Sequence, residues 1–298
     1  MGFAEKLEYL TDSQHRIIIM SVRLTEAYKS FREQWDTRLS THYNQFNPNI
    51  NSETDTFSIG AIYIAVLKNF CKILNTRYLR TPIDRIECDK QAKYSLTPLC
   101  IAEKRNMKHL KECGIYTEDN HVIVDATASV GGDTMSFMLN FPNSTVYALE
   151  PNSRRFGMLQ KNVTGVQNCA RNETAETECF QAEFADLFDN FSEKMKQCSI
   201  LYLDPPWGGS NYKNKKKIEL FLTPYRTETN TSEKNDIVSC CSRAWKAGKS
   251  LRAIVLRIPD NFSSKQRREL EQTPGVNIRV YDEYAYGHHV FSTMVMFK

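Results

Sequence analysis

Asp204-Pro205-Pro206-Trp207 brings together a carboxylate, two rigid residues and a large aromatic ring immediately after the apolar run 199–203. Proline has no backbone N–H, so this turn leaves its carbonyl oxygens available as hydrogen-bond acceptors. An exocyclic amine on a nucleobase is a poor nucleophile because its lone pair is delocalised into the ring. Asp204 and the Pro205 carbonyl can accept the amine hydrogens and orient the nitrogen, while Trp207 stacks on the base. The run therefore predicts methyl transfer to an amine, with Asp204, Pro205, Pro206 and Trp207 as the catalytic residues.

A loop of small residues lies upstream, between a predicted strand and a predicted helix, at 122–134. Small residues let the backbone approach a ligand closely, and open α/β sheets bind ligands at the carboxyl ends of their strands. Asp125 ends the strand and can hold a ligand amine. Glu150 ends the next strand, where it can accept both hydroxyls of a ribose. A dinucleotide-binding enzyme would share Glu150, but its G-x-G-x-x-G fingerprint is absent here. The predicted cofactor-binding residues of these two strand ends are Asp125, Ala126, Thr127, Gly131, Gly132, Thr134, Glu150 and Pro151.

A third acidic position follows the predicted strand at 179–182. Glu183 is preferred over Asp186 as the acid that faces an adenine in such a fold, and Phe184 lies beside it. Asp204 is counted with the cofactor-binding residues as well as with the catalytic ones, because its strand ends next to the loop.

Basic and aromatic residues surround the Asp-Pro-Pro-Trp run. Lys213 and the lysines at 215–217 crowd just after it, where they form either a solvated loop or a set of phosphate contacts. Arg257 ends the fifth predicted strand on the same side and can contact substrate or form a structural ion pair. The predicted substrate-binding residues are Trp207, Tyr212, Lys213 and Arg257.

Alternating strands and helices must position these residues. The pattern predicts strands at 122–126, 145–149, 179–182, 199–203, 252–258, 277–282 and 290–297, and helices at 132–140, 152–162, 185–196, 233–246 and 262–271. Such alternation forms a parallel sheet covered on both faces, and the last two strands should form an antiparallel hairpin. This is the α/β architecture of class I methyltransferases, a Rossmann-like seven-stranded sheet with an antiparallel last strand. The polar segment 164–178 is predicted to be a surface insertion.

A helical extension precedes this sheet domain. Spaced apolar residues predict helices at 1–36 and 57–75, separated by a polar loop at 42–56. Thr97-Pro98 starts a further helix that runs to Cys113, and Gly114 can end it. The chain is therefore predicted to consist of a helical N-terminal extension at 1–90 and a methyltransferase domain at 91–298.

The composition narrows the remaining classes. The 298 residues are 41% hydrophobic and 25% charged, which is enough for a packed core and unlike a disordered chain. The net charge of +4 is compatible with a polyanionic partner. None of the nine cysteines has C-x-x-C spacing, so we expect no metal site, and unpaired cysteines suit a reducing intracellular compartment. The apolar segment 57–67 is too short to span a bilayer, so we expect no membrane association.

Three stretches resemble the trimethylguanosine synthases, enzymes that methylate the 2-amino group of a 7-methylguanosine RNA cap. Residues 125–134, which end in Val130-Gly131-Gly132-Asp133-Thr134, resemble the family's Val-Gly-Gly-Asn-Thr loop. Residues 204–212, Asp-Pro-Pro-Trp-Gly-Gly-x-x-Tyr, resemble its Ser/Asp-Pro-Pro-Trp-Gly-Gly-x-x-Tyr run. Residues 94–98 and Ile101-Ala102 resemble its Ser-x-Thr-Pro-Glu-x-Ile-Ala segment, and the similarity covers about 92–298.

The resemblance implies S-adenosylmethionine as the cofactor, with Thr97 among the residues that bind it, and capped RNA as the partner. It also implies that Trp207 stacks on 7-methylguanine, whose positive charge suits a cation–π contact. Nearby basic residues, with Lys213 as a candidate by position, would hold the cap phosphates.

Departures from the family keep three hypotheses open. Ser129 stands in place of the first loop glycine, Leu99 in place of the Glu after Thr-Pro, and lysines crowd after Tyr212. They predict a distant member, viral or from a divergent eukaryote. The first hypothesis is cap guanosine 2-amino methylation. The second is methylation of the adenine 6-amino group in DNA or RNA, which does not predict the Gly-Gly-x-x-Tyr tail. The third is a degenerate methyltransferase fold acting as an RNA-binding scaffold, which Ser129 favours. We expect the protein in the nucleus or cytoplasm, or in the host cytoplasm or virion if it is viral.

Overall fold

The computed structural model describes residues 71–72, 74–81, 83, 86–89, 92, 96–97, 99–208, 210–222, 235–285 and 288–298. The predicted helix at 1–36, the loop at 42–56 and most of the helix at 57–75 lie outside these residues. The helical extension therefore stays a prediction.

Seven strands are present in the described part of the chain: β1 (Val122–Asp125), β2 (Thr145–Leu149), β3 (Glu176–Phe180), β4 (Ile200–Leu203), β5 (Ala253–Ile258), β6 (Asn277–Ala285) and β7 (His288–Phe297). They form one sheet in the order β3-β2-β1-β4-β5-β7-β6. Neighbouring strands from β3 to β5 run parallel, whereas β7 is antiparallel to both β5 and β6. The predicted Rossmann-like, seven-stranded sheet with an antiparallel last strand is confirmed.

The helices connect these strands in sequence. They are α1 (Leu99–Lys104), which continues through a π-helical turn (Arg105–His109) into α2 (Leu110–Glu112), and then α3 (Gly132–Asn140), α4 (Ser153–Cys169), α5 (Ser192–Gln197), α6 (Ile237–Ala247) and α7 (Ser264–Glu271). Two short 3-10 helices span Phe184–Phe188 and Ser210–Asn214. Gly114, with a φ of +76°, follows the end of α2, as the sequence predicts.

The two central strands β4 and β5 are buried along their whole length. Leu201 of β4 packs with residues of α5, α6 and α7, whereas its neighbour Tyr202 packs with residues of α2 and α3 on the other face. A strand covered by helices on both faces is apolar at nearly every position, with Arg257 of β5 the exception here, and this makes both runs recognisable in the sequence.

The edge strand β3 differs from its prediction. It spans Glu176–Phe180 rather than 179–182, and α4 continues to Cys169 with Val166 buried. The segment 164–178 is therefore not a surface insertion, and that prediction was wrong. Glu176 and Glu178 point to the same face of this strand and are exposed, so the strand lacks the continuous apolar run of β4 and β5. The predicted helix at 185–196 is likewise divided into a 3-10 helix and α5.

Described residues between 74 and 92 pack against α4. A π-helical turn at Leu74–Tyr78 precedes Leu79, whose backbone bridges Ala170. The buried Asn162 side chain of α4 accepts the Glu87 N–H and donates to the Glu87 and Val130 carbonyls, each at 2.8 Å. Asn162 therefore links this segment to the loop between β1 and α3, which carries several predicted site residues.

The strand order reverses between β1 and β4, because β1 continues to β2 and β3 while β4 continues to β5. The crevice at the carboxyl ends of such a pair is where open α/β sheets bind ligands. Asp125, Glu150 and Asp204 lie at or just beyond the ends of β1, β2 and β4. Within the described ranges, no helix is long and apolar enough to cross a membrane, and no group of three or more His, Cys, Asp or Glu residues is placed to hold a metal ion.

Candidate active site

The loop between β1 and α3 is held in a conformation that favours glycine. Gly131 has a φ of +94°, and Ser129 has a φ of +50° where the resembled family has its first loop glycine. A side chain in this left-handed region costs about 1–2 kcal/mol. A Cβ on Gly131 would lie 2.8 Å from Leu159 Cδ1 of α4, and one on Gly132 would lie 2.5 Å from Leu96 Cδ1. The loop is thus pressed between α4 and the segment before α1, so its backbone has little room to move.

Asp125 is fully buried at the end of β1. The Thr134 hydroxyl donates to its Oδ2 at 2.6 Å, and the Thr127 backbone N–H donates to its Oδ1 at 3.3 Å. Burial and the neighbouring Asp133 raise the pKa of Asp125 to about 7, although these two hydrogen bonds oppose the rise. The structure thus brings the predicted residues Asp125, Thr127 and Thr134 into direct contact, with Ala126 buried beside them.

Glu150 lies beside the same loop. It is 6% exposed and accepts the Asn152 N–H at 2.8 Å. Burial raises the pKa of Glu150, while backbone hydrogen bonds from Asn152 and Ser129 oppose the rise. The contact with Ser129 brings this carboxylate against the loop, as the pairing of β1 with β2 requires. Pro151 follows it and is half-buried.

Glu183 and Asp186 cap the 3-10 helix that follows β3. The Glu183 N–H donates to Asp186 Oδ2 at 2.7 Å, and the Glu183 carboxylate accepts the Asp186 N–H in return. Both rival acids are therefore engaged with each other's backbone, and the preference for Glu183 stays a prediction. Phe184 is buried, with its ring 5.2 Å from that of Phe188.

Asp204 is tied to both neighbouring strands. Its backbone N–H donates to the Thr127 hydroxyl at 2.7 Å, and its Oδ2 accepts Arg257 Nη1 at 2.8 Å. Burial raises the pKa of Asp204 to about 6, with the positive charge of Arg257 opposing the rise. Pro205 is buried and Pro206 is exposed. The backbone of the predicted catalytic residue is thus hydrogen-bonded to the predicted cofactor loop, while its carboxylate contacts Arg257.

Trp207 is half-buried between aromatic residues. Its ring centre lies 5.0 Å from that of Tyr212 and 6.4 Å from that of Phe291, and the Arg257 guanidinium carbon lies 5.1 Å from the ring centre. Its Nε1 is buried and has no hydrogen-bond partner among the described residues. An unsatisfied buried donor of this kind is costly, so an acceptor on a bound ligand would be stabilised here.

A buried network behind Asp204 includes two residues that sequence reasoning missed, Asp133 and Arg105. Arg257 Nη1 donates to Thr97 Oγ1 at 3.2 Å, and Thr97 Oγ1 donates to Asp133 Oδ2 at 2.7 Å. Arg105 of the π-helical turn forms an ion pair with the other oxygen of Asp133. Asp133 stood within the recognised loop motif, but nothing in the local sequence signals Arg105. Of the two roles open for Arg257, the structure shows the ion pair, and a contact with substrate stays a prediction.

The lysines after Trp207 lie on the surface. Lys213, Lys215, Lys216 and Lys217 are exposed, and Lys217 pairs with Glu219 at 2.7 Å. Lys213 Nζ lies 5.9 Å from the ring centre of Tyr212. The Tyr212 carbonyl accepts Asn261 Nδ2 at 2.9 Å, which anchors this segment to the chain after β5. Exposure suits either of the two predicted roles, a solvated loop or phosphate contacts.

Several known proteins are similar to this chain. A protein of Acanthamoeba polyphaga mimivirus is 24% identical over 141 residues, which cover 47% of this chain and 47% of that protein. The chain thus spans about half the length of this relative.

Similar solved structures include the delta-N METTL16 MTase domain, at 12% identity and a TM-score of 0.44 over 79% of this chain and 96% of that chain. They also include precorrin-6y C5,15-methyltransferase from Geobacter metallireducens, at 16% identity and a TM-score of 0.41 over 72% and 93% of the two chains. M. jannaschii TYW2 in complex with AdoMet is 14% identical, with a TM-score of 0.37 over 64% and 74% of the two chains.

The family assignment rests on the sequence. A family model described as RNA cap guanine-N2 methyltransferase matches residues 120–276, just over half of the chain. The match includes five site residues that lie near the carboxyl ends of their strands: Asp125, Glu150, Asp204, Trp207 and Arg257. It confirms the resemblance found in the sequence, and the chain belongs to the RNA cap guanine-N2 methyltransferase family.

Proposed function

We propose that this protein transfers a methyl group from S-adenosylmethionine to the 2-amino group of a 7-methylguanosine RNA cap. The observation that carries the proposal is that Asp204 and Trp207, which follow β4, both contact Arg257 of β5. The Asp204 backbone also contacts Thr127, in the loop that follows Asp125. Family membership supports the cap guanine as the acceptor.

The residues around the loop fit S-adenosylmethionine by their chemistry. This molecule carries an amine, a ribose and an adenine, and acidic side chains lie at the carboxyl ends of three strands that are adjacent in the sheet: Asp125 ends β1, Glu150 follows β2 and Glu183 follows β3. Thr127 links the loop to Asp204 and so joins the two halves of the site. When bound, S-adenosylmethionine supplies an electrophilic methyl group on a positively charged sulfur.

The chain itself orients the acceptor. With a pKa of about 6, Asp204 is mostly ionised at neutral pH and can accept a hydrogen of the 2-amino group. The Pro205 carbonyl is the second acceptor, and the nitrogen is thereby held with its lone pair toward the methyl donor. Trp207 stacks on the cationic 7-methylguanine ring. After transfer the nitrogen must lose one proton, which the same Asp204 carboxylate can take.

A labelled-methyl assay with two tryptophan variants tests the proposal. The acceptors are a 7-methylguanosine cap analogue, its unmethylated form and an adenine-containing oligonucleotide. Trp207→Leu removes a stacking surface worth about 1–3 kcal/mol, so we expect kcat/KM for the cap analogue to fall by about 5- to 150-fold. Trp245→Leu on α6 is the matched control, because Trp245 is half-buried and stacked under Lys298, and its kcat/KM should stay within about twofold.

Two outcomes would contradict the proposal. Methyl transfer to the adenine oligonucleotide, with none to the cap analogue, would replace it with the adenine 6-amino reaction. The absence of any binding heat in calorimetry at millimolar S-adenosylmethionine would instead support a degenerate fold that acts as an RNA-binding scaffold.

A further inference from the structure

Arg257 is a single side chain that contacts both halves of the proposed acceptor site. From β5, its Nη1 donates to Asp204 Oδ2 at 2.8 Å. Its guanidinium carbon lies 5.1 Å from the ring centre of Trp207 and 4.0 Å from that of Phe291. The residue proposed to accept the amine hydrogens and the ring proposed to stack on the base are therefore held by one buried cation, which is 7% exposed.

Arg257 is itself fixed from behind. The Thr97 hydroxyl bridges Arg257 Nη1 and Asp133 Oδ2, at 3.2 and 2.7 Å. Asp133 is also paired with Arg105, whose guanidinium carbon lies 4.4 Å from the ring centre of Phe137. The chain of contacts crosses β4, β5, the segment before α1, α3 and the π-helical turn. A guanidinium anchored in this way has few alternative positions, so it orients the carboxylate that it contacts.

We propose that Arg257 is the positioning residue of this site, which holds the Asp204 carboxylate ionised and oriented beside the ring of Trp207. The inference rests on the proposed function, because it assigns to Asp204 the role of accepting the amine hydrogens. Arg257 acts through Asp204 and Trp207 and takes no part in the bond changes itself.

The charges that face Asp204 support this role. Arg257 on β5, Arg105 on the π-helical turn, Asp133 on α3 and Tyr202 on β4 surround it. Burial and Asp133 raise the pKa of Asp204, whereas Arg257 and Arg105 lower it, with Arg257 the larger of the two. Without Arg257 the pKa of this carboxyl would rise further, so a larger fraction would be protonated at neutral pH, and a protonated carboxyl donates a hydrogen instead of accepting one.

The first test is the pH profile of kcat on the cap analogue. We expect the acid limb of the wild-type protein near pH 6, because Asp204 must be ionised. In Arg257→Met we expect the limb to move up by about 1–3 pH units, which lowers kcat at pH 7 by about 2- to 90-fold. Arg257→Lys keeps the charge, so its acid limb and its kcat at pH 7 should be closer to those of the wild type. Arg267→Met on α7, an exposed residue paired with Glu271, is the matched control and should match the wild type. A loss of kcat with an unmoved acid limb in both Arg257 variants would overturn the inference.

The second test does not depend on activity. The raised pKa means that the folded protein holds the Asp204 proton more tightly than the unfolded chain, so stability falls as pH rises from about 4 to about 6. In Arg257→Met this fall should extend to higher pH, so its melting temperature should drop further below that of the wild type between pH 6 and pH 8. In a protein that already carries Asp204→Asn, Arg257→Met should change the melting temperature by the same amount at every pH. If the change is also independent of pH when Asp204 is present, the pairing of Arg257 with Asp204 is refuted.

The two tests separate the inference from the proposed function. If the wild-type protein does not methylate the cap analogue, the proposed function fails, while the melting data still decide whether Arg257 controls Asp204. If Arg257→Met does not fold, Arg257→Lys gives the same comparison, with a smaller shift in the same direction.

Discussion

Gly131→Ala and Gly157→Ala should have opposite effects on stability, although both add a single methyl group. Gly131 is in the loop between β1 and α3 with a φ of +94°, and its new Cβ would lie 2.8 Å from Leu159 Cδ1. Gly157 lies inside α4, and nothing is within 4 Å of the position of its Cβ. The pair therefore separates the strain of this loop from the general effect of replacing a glycine.

The expected magnitudes follow from these two environments. At Gly131 the left-handed backbone costs about 1–2 kcal/mol for a residue with a side chain, and overpacking against Leu159 costs about 1–3 kcal/mol more. The free energy of unfolding should therefore fall by about 2–5 kcal/mol. At Gly157 alanine restricts the unfolded chain and favours the helix, so the free energy of unfolding should rise by about 0.5–1 kcal/mol.

Urea unfolding followed by circular dichroism measures both changes in the free energy of unfolding. Calorimetry with S-adenosylmethionine measures whether the strained loop also weakens cofactor binding. Because Gly131 lies in the loop that follows Asp125 and whose Ser129 backbone contacts Glu150, we expect cofactor affinity to fall with Gly131→Ala and to remain unchanged with Gly157→Ala. Equal stability of the two variants would refute the argument that this loop needs glycine at position 131.

Two further predictions concern contacts outside the proposed acceptor site. Burial raises the pKa of Glu283, but contacts with His109 and Lys104 outweigh it and leave the pKa below its ordinary value. Through these contacts the ionised Glu283 stabilises the protein above about pH 4.5, and this effect is lost as the pH falls through its lowered pKa. Glu283→Gln should lower the free energy of unfolding by about 1–3 kcal/mol at pH 7, and an equal deficit at pH 3 would contradict this. Asn162→Ala should lower the free energy of unfolding, measured with urea, by about 2–4 kcal/mol, because it leaves the Glu87 and Val130 backbone groups without their buried partner. A change below about 0.5 kcal/mol would show that these groups find other partners.

Local patterns in the sequence were sufficient to place a strand or helix where its residues are uniformly buried. The strands β4 and β5 were predicted to within one residue, because helices cover both faces and every position except Arg257 is aliphatic or aromatic. The helix at 132–140 was predicted with its observed bounds, since small residues precede it and apolar residues recur along it. The edge strand β3 was displaced in the prediction, because polar residues are tolerated where one side of a strand faces water.

The sequence by itself determined the fold class, the succession of strands along the chain and the placement of Asp125, Glu150 and Asp204 at their carboxyl ends. These features depend on residues close together in the chain, so a short window of sequence contains them. Only the tertiary structure decided that Arg257 pairs with Asp204, and that Thr97, Asp133 and Arg105 stand behind them. Those contacts join segments far apart in sequence, and a buried charge finds its partner by three-dimensional proximity, which no local pattern specifies.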